Sequence, residues 1–438
     1  MDDDSLNKSL LNFIKTPGKN LFARTLDYSD WIRSRRDSSV WPYSRVLLDP
    51  ALHKTRIADE FGLNGEIGIN FASQDYLALS YRSEVKQAAH AVIDKFGVHS
   101  AGSPSLCGRT SILLELENTI AKELGYESCM VFPTGWAAGF GVISGLVREA
   151  DTILIDSLCH NCIQEGARFS TPNVKKFVHN DLDSLENLLI KERSSNSENG
   201  IFIVIETLYS MDSDSPDINA VITLSQKNEV ILIIDAAHDF GSMGKDGHGL
   251  IDNITIEGWR DNTVVMGSFS KTFAANGGFI VCSNSVRQYY RAYASTQLFS
   301  NSISPIQTGV VLQSMKIVFS QEGRELRTKL MQNILDLRKA MNENGFLVAG
   351  TPSPIVPVFV SGQSDDEALA RLTSKYLFQN KLHANLVEFP AVARGKARFR
   401  FQVMATHQIE DIKKAAEIMA DCRNSAEVHL KQIRLDCN

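Results

Sequence analysis

The chain lacks any uninterrupted apolar run near the ~18 residues of a membrane span, so no transmembrane segment is expected. It lacks a basic excess as well. Lys and Arg number 45 against 51 Asp and Glu, the net charge is −6 and the pI is about 6.0. Nothing in that balance calls for nucleic acid, and the one short basic cluster, WIRSRRD (31–37), reads as a solvated helix face. Cysteines are seven, an odd and scattered set, which argues for a reducing compartment and against a disulfide framework. The N-terminal MDDDSLNKSLLNFIKTPGKN has no apolar core of the secretory kind, and a cytoplasmic location is expected. Internal repeats and low-complexity segments are missing. Dinucleotide and P-loop signatures are missing too: GFGVISG is not G-x-G-x-x-G, and GSMGKDG is not G-x-x-x-x-G-K-[ST].

One C-x-x-C is present, CHNC at 159–162. A zinc site of this type needs a second ligand pair, and no other C-x-x-C exists in the chain. Metal or redox function is therefore the weaker reading, and His160, between the cysteines, is the more informative residue.

What is present is an ordinary soluble composition, 43% apolar and 22% charged, on a chain of 438 residues, long enough for two or three structural units. Residues 1–65 are polar and aromatic-dotted and read as an N-terminal arm. From 66 to about 305, short β-branched runs alternate with helical stretches: DTILID (151–156), GIFIVIET (200–207), EVILIIDAAH (229–238), NTVVMGS (262–268) and GGFIVCS (277–283). Continuous apolar strands between helices predict an α/β fold, with a large, mostly parallel sheet covered on both faces. Residues 306–438 predict a smaller α+β domain: a helix over about 321–344, a strand in 353–360, a helix over 365–380, a strand in 397–404, and a helix over 406–422 capped by Thr406.

Ligands of open parallel sheets bind beyond the carboxyl ends of the strands. The polar residues collected there are Asp156 and His160, Glu206 and Ser210, Asp235 and His238, and Ser268, Ser270 and Lys271. A further strand leads to Thr134, Gly135 and Trp136 at a helix start, whose free amides suit a phosphate. Singly, each has a bland reading: a solvated lysine, a capping Asp-His pair, a core histidine. Together they describe a site for a group that carries a phosphate, needs a lysine amine and sets a carboxylate against a ring nitrogen. Pyridoxal 5′-phosphate is such a group. Lys271 would be the Schiff-base amine, its pKa lowered by burial, and Asp235 would keep the pyridine nitrogen protonated.

The same residues lie in motifs that resemble the α-oxoamine synthases, pyridoxal-phosphate enzymes of fold type I. The pieces are NFASQDYLALS (70–80), FPTGWAA (132–138), DSLCHNCIQEGAR (156–168), ETLYSMDSDSPDI (206–218), DAAHDFGSMGKDGHGL (235–250), GSFSKTFAANGGF (267–279), LFSNSISP (298–305) and RGKARFRFQVMATH (394–407). The resemblance implies that Lys271 also removes the substrate's α-proton. It further implies that His160 stacks on the cofactor ring, and that Ser210 and His238 bond its phenolic oxygen. Gly135, Trp136, Ser268 and Ser270 would contact the phosphate. Asn301 and Ser302 would reach the phosphate of a partner subunit in a homodimer whose site lies at the subunit seam. Arg400 would grip the substrate carboxylate, a task suited to a planar fork of donors. Gln74 stands where many relatives have asparagine, a residue that can touch the substrate, so amino-acid choice is expected to differ; separately, Ala236 replaces the usual acidic residue of D-E-A-H.

The implied reaction is decarboxylative condensation of a small amino acid with an acyl thioester of CoA or acyl carrier protein. It yields an α-aminoketone, CO₂ and a free thiol. The motifs mix features of the serine palmitoyltransferase, glycine C-acetyltransferase, 8-amino-7-oxononanoate synthase and α-hydroxyketone autoinducer synthase branches. A fatty-acyl thioester is favoured, with glycine C-acetyltransferase activity as the alternative. From other classes, a metal-binding protein built on His160, Cys159, Cys162, Asp235 and His238 and a catalytically silent scaffold remain open.

Overall fold

The computed structural model describes residues 6–14, 17–18, 20–60, 62–195, 198–361 and 367–436. Along the chain the first strands are β1 (Val46–Leu47), β2 (Lys54–Asp59) and β3 (Gly62–Phe71). Then come β4 (Ser128–Phe132), β5 (Thr152–Asp156), β6 (Val174–Phe177), β7 (Ile201–Glu206), β8 (Ile231–Asp235), β9 (Thr263–Ser268) and β10 (Gly278–Cys282). The last are β11 (Leu347–Val348), β12 (Ile355–Phe359), β13 (Leu382–Val387) and β14 (Arg398–Gln402). The chain forms two compact units, one of residues 1–74, 211–213 and 329–438, the other of residues 75–210 and 214–328.

The unit of residues 75–210 and 214–328 holds a sheet in the order β4-β10-β9-β8-β7-β5-β6. Strands β9, β8, β7, β5 and β6 pair in parallel. β10 pairs antiparallel with both β9 and β4, so β4 runs in the direction of β9 and only β10 is reversed. The β-branched runs that announced these strands are buried end to end, as in Ile201–Glu206 and Thr263–Ser268. Their core includes Ile153, Ile155, Val204, Ile233 and Ile280. Full burial of each such side chain contributes about 1.5–3 kcal/mol. The carboxyl ends of β4, β5, β7, β8 and β9 consequently share one rim.

The other unit has a mixed sheet, β1-β2-β3-β13-β14-β12-β11, in which only β3 and β13 pair in parallel. The expected arm before residue 66 supplies β1, β2 and part of β3 to this sheet. Helices Glu367–Gln379 and Ile409–Asp436 pack on each other.

Two local expectations need correction. The last helix begins at Ile409, so Thr406 lies outside it in a turn and does not cap it. That helix also runs to Asp436, well past 422, because no glycine or proline interrupts RNSAEVHLKQIRLD. β13 and the helix Pro305–Val318 were not anticipated.

Candidate active site

The five strand ends that share a rim enclose a cavity of about 270 Å³. The first wall is built by the turn after β4. Thr134 caps the helix Gly135–Ser144, its hydroxyl accepting from the Ala137 N–H at 3.0 Å. The first-turn amides at Gly135 and Trp136 are thereby aimed outward at the positive end of the helix dipole. A Cβ on Gly135 would stand 2.5 Å from the Ser268 hydroxyl oxygen, so the backbone and that hydroxyl form a cradle only glycine leaves open. Ser268 Oγ accepts from the Ser270 N–H at 3.2 Å.

His160 enters from the turn after β5. It caps the helix Asn161–Ser170 with its ring, Nδ1 accepting from the Cys162 N–H at 3.3 Å. That acceptor role leaves the proton on Nε2. Asp156 organises the turn: its carboxylate accepts from the Leu158 and Asn180 N–H groups and from the His179 ring. Cys159 and Cys162 are buried and free. Burial raises both thiol pKa values, so neither is a ready thiolate ligand or redox nucleophile. Among the described residues no group of three or more His, Cys, Asp and Glu side chains is placed to hold a metal ion.

Asp235 ends β8, 5% exposed, and accepts from the Ala237 N–H at 2.8 Å. Burial raises its pKa, opposed by the positive fields of His160 and Lys271. Glu206 ends β7 directly beside it in register. Burial, followed by the Asp235 charge, pushes the Glu206 carboxyl well up, and the His160 N–H donates to it. Lys271 opposes the rise at both acids and His160 opposes it at Asp235, and Glu206, which is pushed well up, is the one that keeps its proton. Lys271 sits half-buried in the turn after β9. That turn is closed by the Phe269 N–H donating to the Gly277 carbonyl, and Gly277 has φ +129°, which favours glycine.

The structure thus gathers Gly135, Trp136, His160, Asp235, His238, Ser268, Ser270 and Lys271 around one cavity. Ser210, Asn301 and Ser302 are not among its lining residues. Asn301 is exposed and lies 3.5 Å from His99 Nε2, and Ser302 is buried. Tyr76 brings a hydroxyl to His238, 3.3 Å from Nδ1. Sequence reasoning gave Tyr76 and Glu206 no role. Their signal was a phenol inside a quoted motif and a second carboxylate at a strand end. In the other unit, Arg400 lies on β14 opposite Asn385, buried, with Nη1 3.8 Å from the Met211 sulfur. Gln74 is half-buried at that unit's margin in sequence.

The donor set fits a phosphorylated pyridine aldehyde on three counts: an anion cradle at a helix start, an amine, and a buried acid flanked by an imidazole. Comparison with known proteins leads the same way. The profile of the aminotransferase class I and II family matches residues 66–419. The 8-amino-7-oxononanoate synthase of Petrotoga mobilis is 31% identical over 350 residues, 80% of this chain and 87% of that protein. The serine palmitoyltransferase of Bacteriovorax stolpii is 30% identical over 430 residues, 98% of each. A lysine-to-alanine variant of the serine palmitoyltransferase of S. paucimobilis, solved with a bound PLP–myriocin aldimine, shares the fold, with a TM-score of 0.85 at 23% identity over 94% of this chain and 100% of that one.

Proposed function

The chain belongs to the α-oxoamine synthases, within the aminotransferase class I and II family, and from that premise we propose that it condenses a small amino acid with a fatty-acyl thioester, releasing CO₂ and the thiol. The observation that carries this reading is the convergence of Lys271, Asp235 and His160 on one cavity that opens on a helix N-terminus. Bound there, pyridoxal phosphate supplies an aldehyde carbon for the amine and a protonated ring that draws electrons from the substrate's α-carbon.

The protein's own groups do the rest. The Gly135 and Trp136 amides, with Ser268 and Ser270, hold the phosphate. Asp235, ionised in a dry site, keeps the ring nitrogen's proton in place, where a charge pair is worth most. His160 covers the exposed side and shields it from water. His238, held by Tyr76, would serve the phenolic oxygen; Ser210, which is not among the residues lining the cavity, is assigned to that oxygen by the resemblance alone. Lys271 Nζ takes the α-proton and returns a proton to the product carbon. Arg400 orients the amino-acid carboxylate before it leaves as CO₂, and Gln74 tunes which amino acid is accepted.

We read the working form as a homodimer in which Asn301 and Ser302 serve the partner's site. Support comes from an exposed apolar patch around them: Val98, Leu106 and Phe299 are 65%, 85% and 84% exposed. The two segments are tied by Ser103 Oγ donating to the Leu298 carbonyl at 2.8 Å and the Ser302 N–H to the Gly102 carbonyl at 2.9 Å. No described helix is long and apolar enough to cross a membrane, and we read the enzyme as cytoplasmic. Glycine C-acetyltransferase activity is not favoured by relatives named for other condensations.

The test is a screen of amino acids against acyl-CoAs of graded length with PLP present, following thiol release and product mass. Parent protein should release thiol only with an amino acid present, and Lys271→Ala should abolish product. Turnover by Lys271→Ala comparable to the parent would overturn the assignment.

A further inference from the structure

The stretch DAAHDFGSMGKDGHGL (235–250) holds a carboxylate to which the resemblance gives no role, Asp239. It is fully buried and is not among the residues lining the Lys271 cavity. Any effect it has there passes through other residues.

Its carboxylate ties together three segments of the rim. Oδ1 accepts from the Thr207 hydroxyl at 2.6 Å, and Oδ2 accepts from the Leu250 N–H at 2.6 Å. Thr207 directly follows β7, and its N–H donates to the carbonyl of Asp235, the last residue of β8, at 2.8 Å. The Thr207 hydroxyl oxygen lies 3.2 Å from that same carbonyl. The Asp239 carbonyl accepts from the Ser242 and Met243 N–H groups, both at 3.0 Å. The glycine-rich turn beyond is folded closely on the carboxylate. Gly249 has φ +78°, and a Cβ there would stand 2.5 Å from Asp239 Oδ2.

The two cavity-lining groups of this stretch, Asp235 and His238, therefore sit on a turn fixed at both ends. At its start the Asp235 carboxylate accepts from the Ala237 N–H, and at its end Asp239 grips the neighbouring strand end. Burial raises the Asp239 pKa to about 7, against the pull of the Leu250 N–H and the Thr207 hydroxyl. Either protonation state suits the geometry. Ionised, Asp239 accepts the Thr207 proton. Protonated, it donates to Thr207 Oγ1, and the Thr207 proton turns to the Asp235 carbonyl.

We propose that Asp239 is a positioning residue for the reaction read above: through Thr207 and the turn it closes, it fixes where Asp235 and His238 stand at the cavity. The proposal rests on that reading and deepens it. Groups that act on a cofactor must be held within about 0.5 Å of their productive geometry, and Asp239 is the tie that does so from behind.

The experiment uses the full chain and the variants Asp239→Ala, Thr207→Val, the two combined, and Asp239→Asn. The readouts are PLP affinity and amide exchange across residues 241–250 on cofactor-free protein, and the visible spectrum, kcat and KM of the loaded enzyme. Asp239→Ala should speed amide exchange in the turn and weaken PLP binding. Asp239→Ala and Thr207→Val should each lower kcat by about tenfold or more through misplacement of the groups at the cavity, with the KM for the amino acid held within about twofold. Both should alter the pH response of the cofactor's absorbance. The combined variant should lose no more than Asp239→Ala alone, since both changes break one bond. Asp239→Asn should recover most of what Asp239→Ala loses, because its amide donates to Thr207 and accepts from the Leu250 N–H. Parent-like kcat and cofactor spectrum in Asp239→Ala and Thr207→Val, whatever their melting temperatures, would overturn the proposal, as would losses that simply add in the combined variant. If the parent binds PLP but releases no thiol with any amino acid, the condensation reading fails, while PLP affinity and the cofactor spectra of the variants still decide for or against Asp239.

Discussion

Glu206 and Asp235 stand opposite each other as the last residues of adjacent parallel strands β7 and β8, and both line one cavity. Two acids so placed in a buried site do not both ionise at neutral pH. Asp235 faces His160 and Lys271 and carries the charge, while Glu206 remains neutral. Glu206→Gln should therefore change turnover little, within about threefold, because a neutral acid is replaced by a neutral amide that can still accept from the His160 N–H. The sign in stability follows from linkage. The unfolded glutamate ionises near 4.5 and the folded one far higher, so the parent loses stability as pH rises above about 4.5 and the variant does not. The melting-temperature difference, variant minus parent, should grow with pH. A constant difference from pH 4 to pH 8 would show that Glu206 is already ionised.

Asp235→Asn removes the charge that the ring nitrogen requires, while its amide oxygen can still accept from the Ala237 N–H. The expected loss in kcat is about 10²-fold or more. The bound cofactor's absorbance should also respond more steeply to pH than in the parent. Parent-like kcat in this variant would mean that ring protonation is supplied elsewhere.

The contrast between Asp235 and Glu206 shows what the sequence could reveal. β5, β7, β8 and β9 were legible because a strand buried on both faces must be apolar throughout, and a polar residue ending such a run is conspicuous. Asp235 and Lys271 stood out for that reason. β13 was not legible: LHANLV is short and places His383 and Asn385 among its apolar residues. The helix Pro305–Val318 is buried on nearly every face, so it has no polar stripe to mark its period. β2 and the start of β3 read as part of the arm before residue 66: the two form a local hairpin, but what ties that hairpin into a larger sheet is the pairing of β3 with β13, more than 300 residues away in the chain, and pairing at that distance leaves no local signal. Tyr76 was overlooked for a similar reason, since its meeting with His238 is made only by the fold.

The exposed patch of Val98, Leu106 and Phe299 yields a test of assembly. Phe299→Glu places a charge where we expect the partner, and burying an unpaired charge is costly. Sedimentation should show the parent as a dimer and the variant shifted to monomer, with turnover falling alongside. A variant that remains dimeric at micromolar concentration would place the interface elsewhere.

The buried ion network around Glu388 predicts a large stability effect. Arg371 is 1% exposed, donates to Glu388 Oε2 at 2.7 Å and lies 3.1 Å from Glu367. Arg371→Ala leaves buried Glu388 with Arg35 at 3.7 Å and Tyr43 as partners. Removing one member of a buried pair costs about 3–5 kcal/mol. It also frees the Leu6 carbonyl, so proteolysis in the first forty residues should accelerate. Urea melts within about 1 kcal/mol of the parent would contradict the picture.

His179 bridges two carboxylates, Asp156 at 2.9 Å and Asp214 at 3.0 Å, beneath the turn that presents His160. Burial by itself would lower its pKa, but the two hydrogen bonds outweigh burial and raise it from 6.5 to about 10. A raised folded pKa means that the folded state binds the proton more tightly than the unfolded state. The stabilisation is fully present below about 6.5 and disappears as pH rises toward 10. Asp156 sets the acid limit, since His179 and the amides of Leu158 and Asn180 overcome burial and hold its carboxyl below the usual range. Its contribution is present above about 3.8 and is lost as pH falls through the lower folded value. His179→Gln should therefore be most destabilising between about pH 4 and pH 6.5, and the gap from the parent should close steadily toward pH 10. A gap that stays constant from pH 6 to pH 10 would show that the imidazole is neutral in the folded protein and that the bridge does not depend on its charge.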